Sequence, residues 1–196
     1  MTLFRDKYRI ETTRLHGWDY AAAGWYFVTI CTRDRLPFFG EIRGGEMHLS
    51  PIGEIACEYW MQIPQHTAGN VDLDAFVVMP NHAHGIIVIR DTDAPVETLQ
   101  CNVVETLHCN VSTTTTPNPM AHISPRAGSL GAIIRSYKSA VSRWCAQNGY
   151  SEFGWQARFY DHIIRNETDL QNIRRYILEN PLRWEDDRNH PENLWM

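Results

Sequence analysis

The chain has 196 residues, of which 43% are apolar. That is enough to bury one sizeable core, and it excludes general disorder. The formal net charge of −5 hides an asymmetry: residues 91–125 carry Asp91, Asp93, Glu97 and Glu105 with no Lys or Arg, whereas residues 126–176 carry eight Arg and Lys against four Asp and Glu. A phosphate backbone responds to local charge, so the basic second half permits DNA binding despite the acidic total.

The longest apolar runs, Ala75–Pro80 and Gly85–Ile89, fall far short of the ~20 residues that span a bilayer. No basic start followed by an apolar stretch marks a secretory signal. The five cysteines (Cys31, Cys57, Cys101, Cys109, Cys145) are odd in number and form no CxxC pair, which argues against a disulfide framework or a thiolate zinc site. A soluble cytoplasmic protein with no membrane partner is expected.

Trp25–Thr32 (WYFVTICT) is aromatic and β-branched and reads as a strand, with Glu46–Leu49, set off by Gly44-Gly45, as a short partner. Ser50-Pro51 supplies an N-cap and a proline at the first helical position. Ile52, Ile55, Ala56, Tyr59, Trp60 and Ile63 follow at helical spacing until Pro64. Leu73–Met79 and His84–Ile89 read as two strands joined through Pro80-Asn81.

Residues 91–128 break the pattern. Val96–Val103 (VETLQCNV) is repeated almost unchanged as Val104–Val111 (VETLHCNV), and Thr113–Thr116 leads into Pro117-Asn118-Pro119. The composition is that of a low-complexity surface insertion, too short to form a solenoid. From Ser129, Leu130, Ile133, Ile134, Val141 and Trp144 form the apolar stripe of a helix, with Arg135, Lys138 and Arg143 off it. Trp155–His162 reads as an irregular aromatic stretch. Asn166 caps a last helix, with Asp169 three residues on as in a capping box, and Leu170, Ile173 and Ile177 turned inward until Asn180-Pro181. The non-alternating order predicts an α+β fold: an antiparallel sheet of about four to five strands with helices packed on it. One domain over 1–196, interrupted at 91–128, is expected.

Two clusters could carry chemistry. His82 and His84 lie at i and i+2 of a strand, so both imidazoles can reach one ion, although such a pair is as readily a packing feature of a strand edge. Tyr176 and Asn180, four residues apart, share one face of the last helix. Taken singly, Tyr176 reads as a core-edge tyrosine and Asn180 as a helix terminator.

Taken together the residues resemble a known family. Met79-Pro80-Asn81-His82-Ala83-His84-Gly85 is similar to the His-hydrophobic-His motif of the HUH endonucleases, with the lead-in of the small single-tyrosine transposases of bacterial insertion sequences. Trp155–Asn166 (WQARFYDHIIRN) and Arg175–Pro181 (RYILENP) resemble the WQ…DHxIR and YIxxNP segments of the REP-associated tyrosine transposases. The resemblance runs from about Tyr26 to Trp184 outside the insertion.

It implies a ferredoxin-like HUH fold and a transposase that nicks and rejoins single-stranded or hairpin DNA. Tyr176 would be the nucleophile forming a 5′-phosphotyrosine. His82, His84 and Asn180 would hold one Mg²⁺ or Mn²⁺. Arg135, Lys138, Arg158, Arg165, Arg174 and Arg175 are candidate DNA contacts, and His162 is a candidate auxiliary group. Trp155, Phe159 and Tyr160 could stack on unpaired bases or pack in the core. Both monomeric and homodimeric arrangements are compatible with the resemblance.

The chemistry accords with the residue types. A phenol of pKa near ~10 is a weak nucleophile at neutral pH without help. A metal on the scissile phosphate polarises it and positions it for in-line attack. Tyr137, between Arg135 and Lys138, is the competing nucleophile, because flanking cations could lower its pKa, but Val141 stands where an Asn or Gln would follow and Tyr137 is read as packing or DNA-contacting. Three alternatives stand beside this reading: a hairpin-DNA-binding protein without cleavage, a metal hydrolase of small substrates, and the relaxase or replication-initiator branch of the HUH group.

Overall fold

The computed structural model describes residues 3–4, 7–8, 14–67, 69–91, 125–187 and 189–190. A small antiparallel pair, β1 (Leu3–Phe4) and β2 (Lys7–Tyr8), precedes β3 (Gly24–Cys31), β4 (Gly40–Arg43), β5 (Glu46–Leu49) and α1 (Pro51–Met61). Then follow β6 (Val71–Met79), β7 (His82–Ile89), α2 (Leu130–Gln147), β8 (Tyr160–Ile164) and α3 (Glu167–Glu179). The main sheet has the order β6-β7-β3-β8 and every neighbouring pair in it is antiparallel. The expected α+β class with a four-stranded antiparallel sheet is observed. The predicted insertion falls mostly on residues 92–124, outside the described residues.

Local chemistry sets the ends of these elements. The Ser50 and Ser129 hydroxyls accept from the backbone N–H of Gly53 and Ala132, and Asn166 Oδ1 accepts from that of Asp169, so each long helix starts on a side-chain cap. Met79 and His82 are directly paired, so Pro80-Asn81 forms a two-residue hairpin loop. Asp169 does not complete a capping box, because its carboxylate turns to His162 Nε2 at 2.8 Å.

Two expectations need correction. Glu46–Leu49 does not pair with the first long strand but with β4: Gly44 and Gly45 both take positive φ (60° and 80°), the geometry of a tight hairpin turn that folds β5 back on its own predecessor. The aromatic stretch after Trp155 is not irregular throughout. Tyr160–Ile164 forms β8 on the outer edge of β3, hidden from pattern reading because Asp161 and His162 interrupt its apolar run.

Alternation along β3 and β7 divides the interior in two. Tyr26, Val28, Ile30, Ile87 and Ile89 face a large core with Trp60 of α1 and Leu130, Ile134 and Val141 of α2. Phe27, Ile86 and Ile164 face the opposite side, where Leu170 and Ile177 of α3 cover them. Gly85 is required by close approach rather than by its dihedrals: a Cβ there would lie 2.3 Å from Cζ2 of Trp60, which stacks on Phe76 at 4.5 Å. Among the described residues no helix is long and apolar enough to cross a membrane, and Cys31, Cys57 and Cys145 form no disulfide.

Candidate active site

His82 and His84 open β7, an inner strand of the sheet, and the two-residue period sends both imidazoles to the face that α3 covers. Both are fully buried, and their Nε2 atoms lie 2.9 Å apart. Thr29, directly opposite His84 on β3, brings its Oγ1 to 2.9 Å from His84 Nδ1.

The last helix delivers the rest of the cluster. Tyr176 and Asn180 lie one turn apart, and the Tyr176 hydroxyl is 3.2 Å from His84 Nε2 while the residue as a whole stays 39% exposed. The side chain therefore touches the histidine pair and solvent at once. Phe27 forms the floor, stacked on His84 at 5.4 Å and meeting the edge of Tyr176 at 6.1 Å. Trp184, in the 3-10 segment after α3, lies 6.0 Å from His82.

Asp187 joins the site, and sequence reasoning missed it. Its Oδ2 accepts from Tyr176 at 3.4 Å and from Asn180 Nδ2 at 3.2 Å, and its Oδ1 accepts from the Asn189 N–H. Ligand atoms of His82, His84 and Asp187 all lie within 4.8 Å of one another. Nothing in its spacing marked Asp187 out, since it closes the run Glu185-Asp186-Asp187 beyond the helix.

The donor set fits a divalent cation. Two imidazole nitrogens face each other, a carboxylate adjoins them, and the buried Asn180 Oδ1 has no hydrogen-bond partner among the described residues. A buried unpaired carbonyl costs on the order of 1–3 kcal/mol, which a cation would offset. A recess of about 630 Å³ opens onto Tyr176 and is lined by Glu179, Asn180, Arg183, Asp186 and Asp187. Arg183 is taken up by Glu179 at 2.7 Å, so the entrance carries net negative character. A phosphodiester would approach it unfavourably unless a cation intervened.

The other predicted residues divide into several groups. Arg174 makes a two-pronged bond to Asp74 of β6 (2.8 and 2.7 Å) and lies against Trp25, which fastens α3 to the sheet. Arg165 and Arg175 are exposed. His162 shares the face of Phe27, its direct cross-strand partner, but its Nε2 is engaged by Asp169.

Arg135, Lys138 and Arg158 lie in a separate cleft of about 710 Å³, with Arg14, Trp155 and Phe159, where α2 meets the segment before β8. Lys138 donates to the carbonyls of Gln156 and Arg158, and burial lowers its pKa to about 8. Trp155 and Phe159 pack against the large core, whereas Tyr160 is 44% exposed.

Tyr137 is not activated by its neighbours. It is buried under α1, where its hydroxyl donates to the Ala56 carbonyl at 3.0 Å, and burial drives its pKa strongly upward. Desolvation by burial is the main cause of that rise.

No family model matches the chain. An uncharacterized protein of Haemophilus influenzae is 34% identical over 178 residues, which cover 91% of each chain. Among solved structures, that of a REP-associated tyrosine transposase bound to a REP hairpin has the same fold. It superposes with a TM-score of 0.52 at 18% identity, over 94% of this chain and 74% of that one.

Proposed function

We propose that this chain, which belongs to one family with the uncharacterized Haemophilus influenzae protein, is a metal-dependent transposase that nicks and rejoins single-stranded DNA through Tyr176. The observation that carries the reading is the junction of Tyr176 with the histidine pair: a solvent-reaching phenol 3.2 Å from one of two buried imidazoles. The shared fold with a hairpin-bound transposase supports hairpin DNA as the partner. That Cys31, Cys57 and Cys145 form no disulfide accords with a cytoplasmic setting.

His82 and His84 Nε2, with Asn180 Oδ1 and Asp187, would hold one Mg²⁺ or Mn²⁺. Imidazole donors suit Mn²⁺ better than the harder Mg²⁺. When bound, the ion supplies Lewis-acid polarisation of the scissile phosphate. Asp187 Oδ2 accepts the Tyr176 hydrogen bond and orients the phenol oxygen. That oxygen attacks phosphorus in line, a 5′-phosphotyrosine bond forms, and the bond from phosphorus to the 3′ oxygen breaks. The departing oxygen takes up a proton to become a 3′-hydroxyl, replacing the one the phenol gives up. A second 3′-hydroxyl reverses the step on another strand without ATP. Phe27 and Trp184 keep the inner side of the site apolar, which strengthens electrostatic interactions there.

The basic residues then have separable tasks. Arg165 and Arg175 are exposed candidates for phosphate contact near the nucleophile's helix, while Arg135, Lys138 and Arg158 line the cleft beside α2. Arg174 would act through its grip on Asp74 rather than by touching DNA. His162, held by Asp169, would serve as a support.

Labelled single-stranded hairpin DNA incubated with the protein tests the reading on a denaturing gel. A shifted covalent band with Mn²⁺ that disappears with EDTA is expected. Tight binding with no covalent band under any divalent ion would instead mark a hairpin-binding protein and overturn the proposal.

A further inference from the structure

The residue before the histidine pair, Asn81, is fully buried and has every polar atom of its side chain committed. Its Nδ2 lies 3.1 Å from the Arg35 carbonyl and 2.8 Å from the Asn189 carbonyl, and its Oδ1 lies 2.8 Å from His82 Nδ1. Its own backbone carbonyl accepts from both the N–H and the hydroxyl of Thr32, each at 2.9 Å. Arg35, on a left-handed turn with φ 53°, reaches across to the Asn189 side chain, so the two carbonyls facing Asn81 are themselves held.

These contacts leave one assignment for the Asn81 amide and for His82 Nδ1. Main-chain carbonyls only accept, so the amide NH₂ must face Arg35 and Asn189. The amide oxygen must then face His82, and since it too only accepts, His82 Nδ1 must carry the proton. A neutral imidazole with hydrogen on Nδ1 presents a bare lone pair at Nε2, the atom that looks at His84.

His84 is under no such constraint, because its Nδ1 meets the Thr29 hydroxyl, which can either donate or accept. The two histidines therefore differ: one is fixed as a ligand, and the other can give an Nε2 hydrogen to its neighbour and reverse its tautomer when an ion arrives.

Resting on the metal-site reading above, we propose that Asn81 is a positioning residue that locks His82 in the metal-ready tautomer, while His84 with Thr29 is the half of the pair that switches. Partners of this kind beyond the ligands usually change metal affinity by about 10–100-fold.

Nitrogen-15 spectra of histidine-labelled protein test this without any activity readout. In metal-free wild type, His82 should show its proton on Nδ1 and His84 on Nε2. On adding Mg²⁺ alone, His82 should keep its form and His84 should move its proton to Nδ1. Asn81→Ala should release the His82 tautomer and weaken Mn²⁺ binding by about 10–100-fold in calorimetry.

A wild-type His82 protonated on Nε2 would overturn the lock. So would an Asn81→Ala protein that keeps both the wild-type tautomer and the wild-type affinity. A His84 that shows the same tautomer with and without the ion would overturn the switch. If Asn81→Ala fails to fold, the wild-type spectra decide alone. Wild type with the locked tautomer but no affinity for Mn²⁺ would defeat the metal-site reading and leave the lock standing.

Discussion

Exchanging each of the two candidate tyrosines for phenylalanine separates nucleophile from scaffold. Tyr137 is 3% exposed and its hydroxyl bonds a main-chain carbonyl of α1 at 3.0 Å. Tyr137→Phe removes that bond while the ring keeps its packing on Trp60, so the expected loss is about 1 kcal/mol of stability. In a chain of this size that lowers the melting temperature by roughly 2–4 °C, and the covalent DNA band should persist. Tyr176 is 39% exposed and its hydroxyl lies 3.2 Å from His84 Nε2 and 3.4 Å from Asp187 Oδ2. Tyr176→Phe should shift stability by less than about 0.5 kcal/mol, as for other partly exposed positions, and should abolish the covalent band altogether. Thermal melts and denaturing gels on the same preparations read both quantities. A folded Tyr137→Phe protein without the band, or a Tyr176→Phe protein with it, would refute the assignment of roles.

Gly85→Ala should cost about 1–3 kcal/mol in urea unfolding, because the new methyl would sit 2.3 Å from a ring atom of fully buried Trp60; wild-type stability would mean that Trp60 has room to move. The Arg174 guanidinium beside Asp74 holds its carboxyl below the ordinary value of 3.8, so the unfolded chain binds the extra proton between the two values. Stability from this pair is thus complete above the unfolded value and lost as pH falls through the folded one. Asp74→Asn should flatten that acid limb of the stability profile, and an unchanged slope would show that the pair contributes nothing. Asp187→Ala should weaken Mn²⁺ binding at least about tenfold in calorimetry, and unchanged affinity would remove Asp187 from the ion site.

Much of this was legible from residue order alone. Ser50-Pro51, Ser129 and Asn166 marked true helix starts because a cap acts within one turn. The strand period placed both imidazoles on one face, and the helical period placed Tyr176 above Asn180. What lay hidden was non-local. β8 could not be read because its polar residues meet partners elsewhere, Asp161 facing Arg14 at 3.6 Å and His162 bonding Asp169. Asp187 reaches the site only because the chain after α3 continues as a 3-10 turn rather than leaving the surface. The burial of Tyr137 likewise depends on α1 lying across α2, which the sequence around Tyr137 does not encode.

The two halves of the cluster are secured to different degrees. The imidazoles stand on an inner strand hydrogen-bonded on both sides, so displacing their backbone means dismantling the sheet. The phenol rides on a helix held by a satellite core of five buried apolar side chains, an Arg–Asp clasp and the His162–Asp169 bond. Local opening should therefore free the helix at lower cost than the strand. On gentle heating, amide protons of α3 should exchange well before those of β7, and strand transfer and the grip on the ion should fade together, because Asn180 and Asp187 move with the helix.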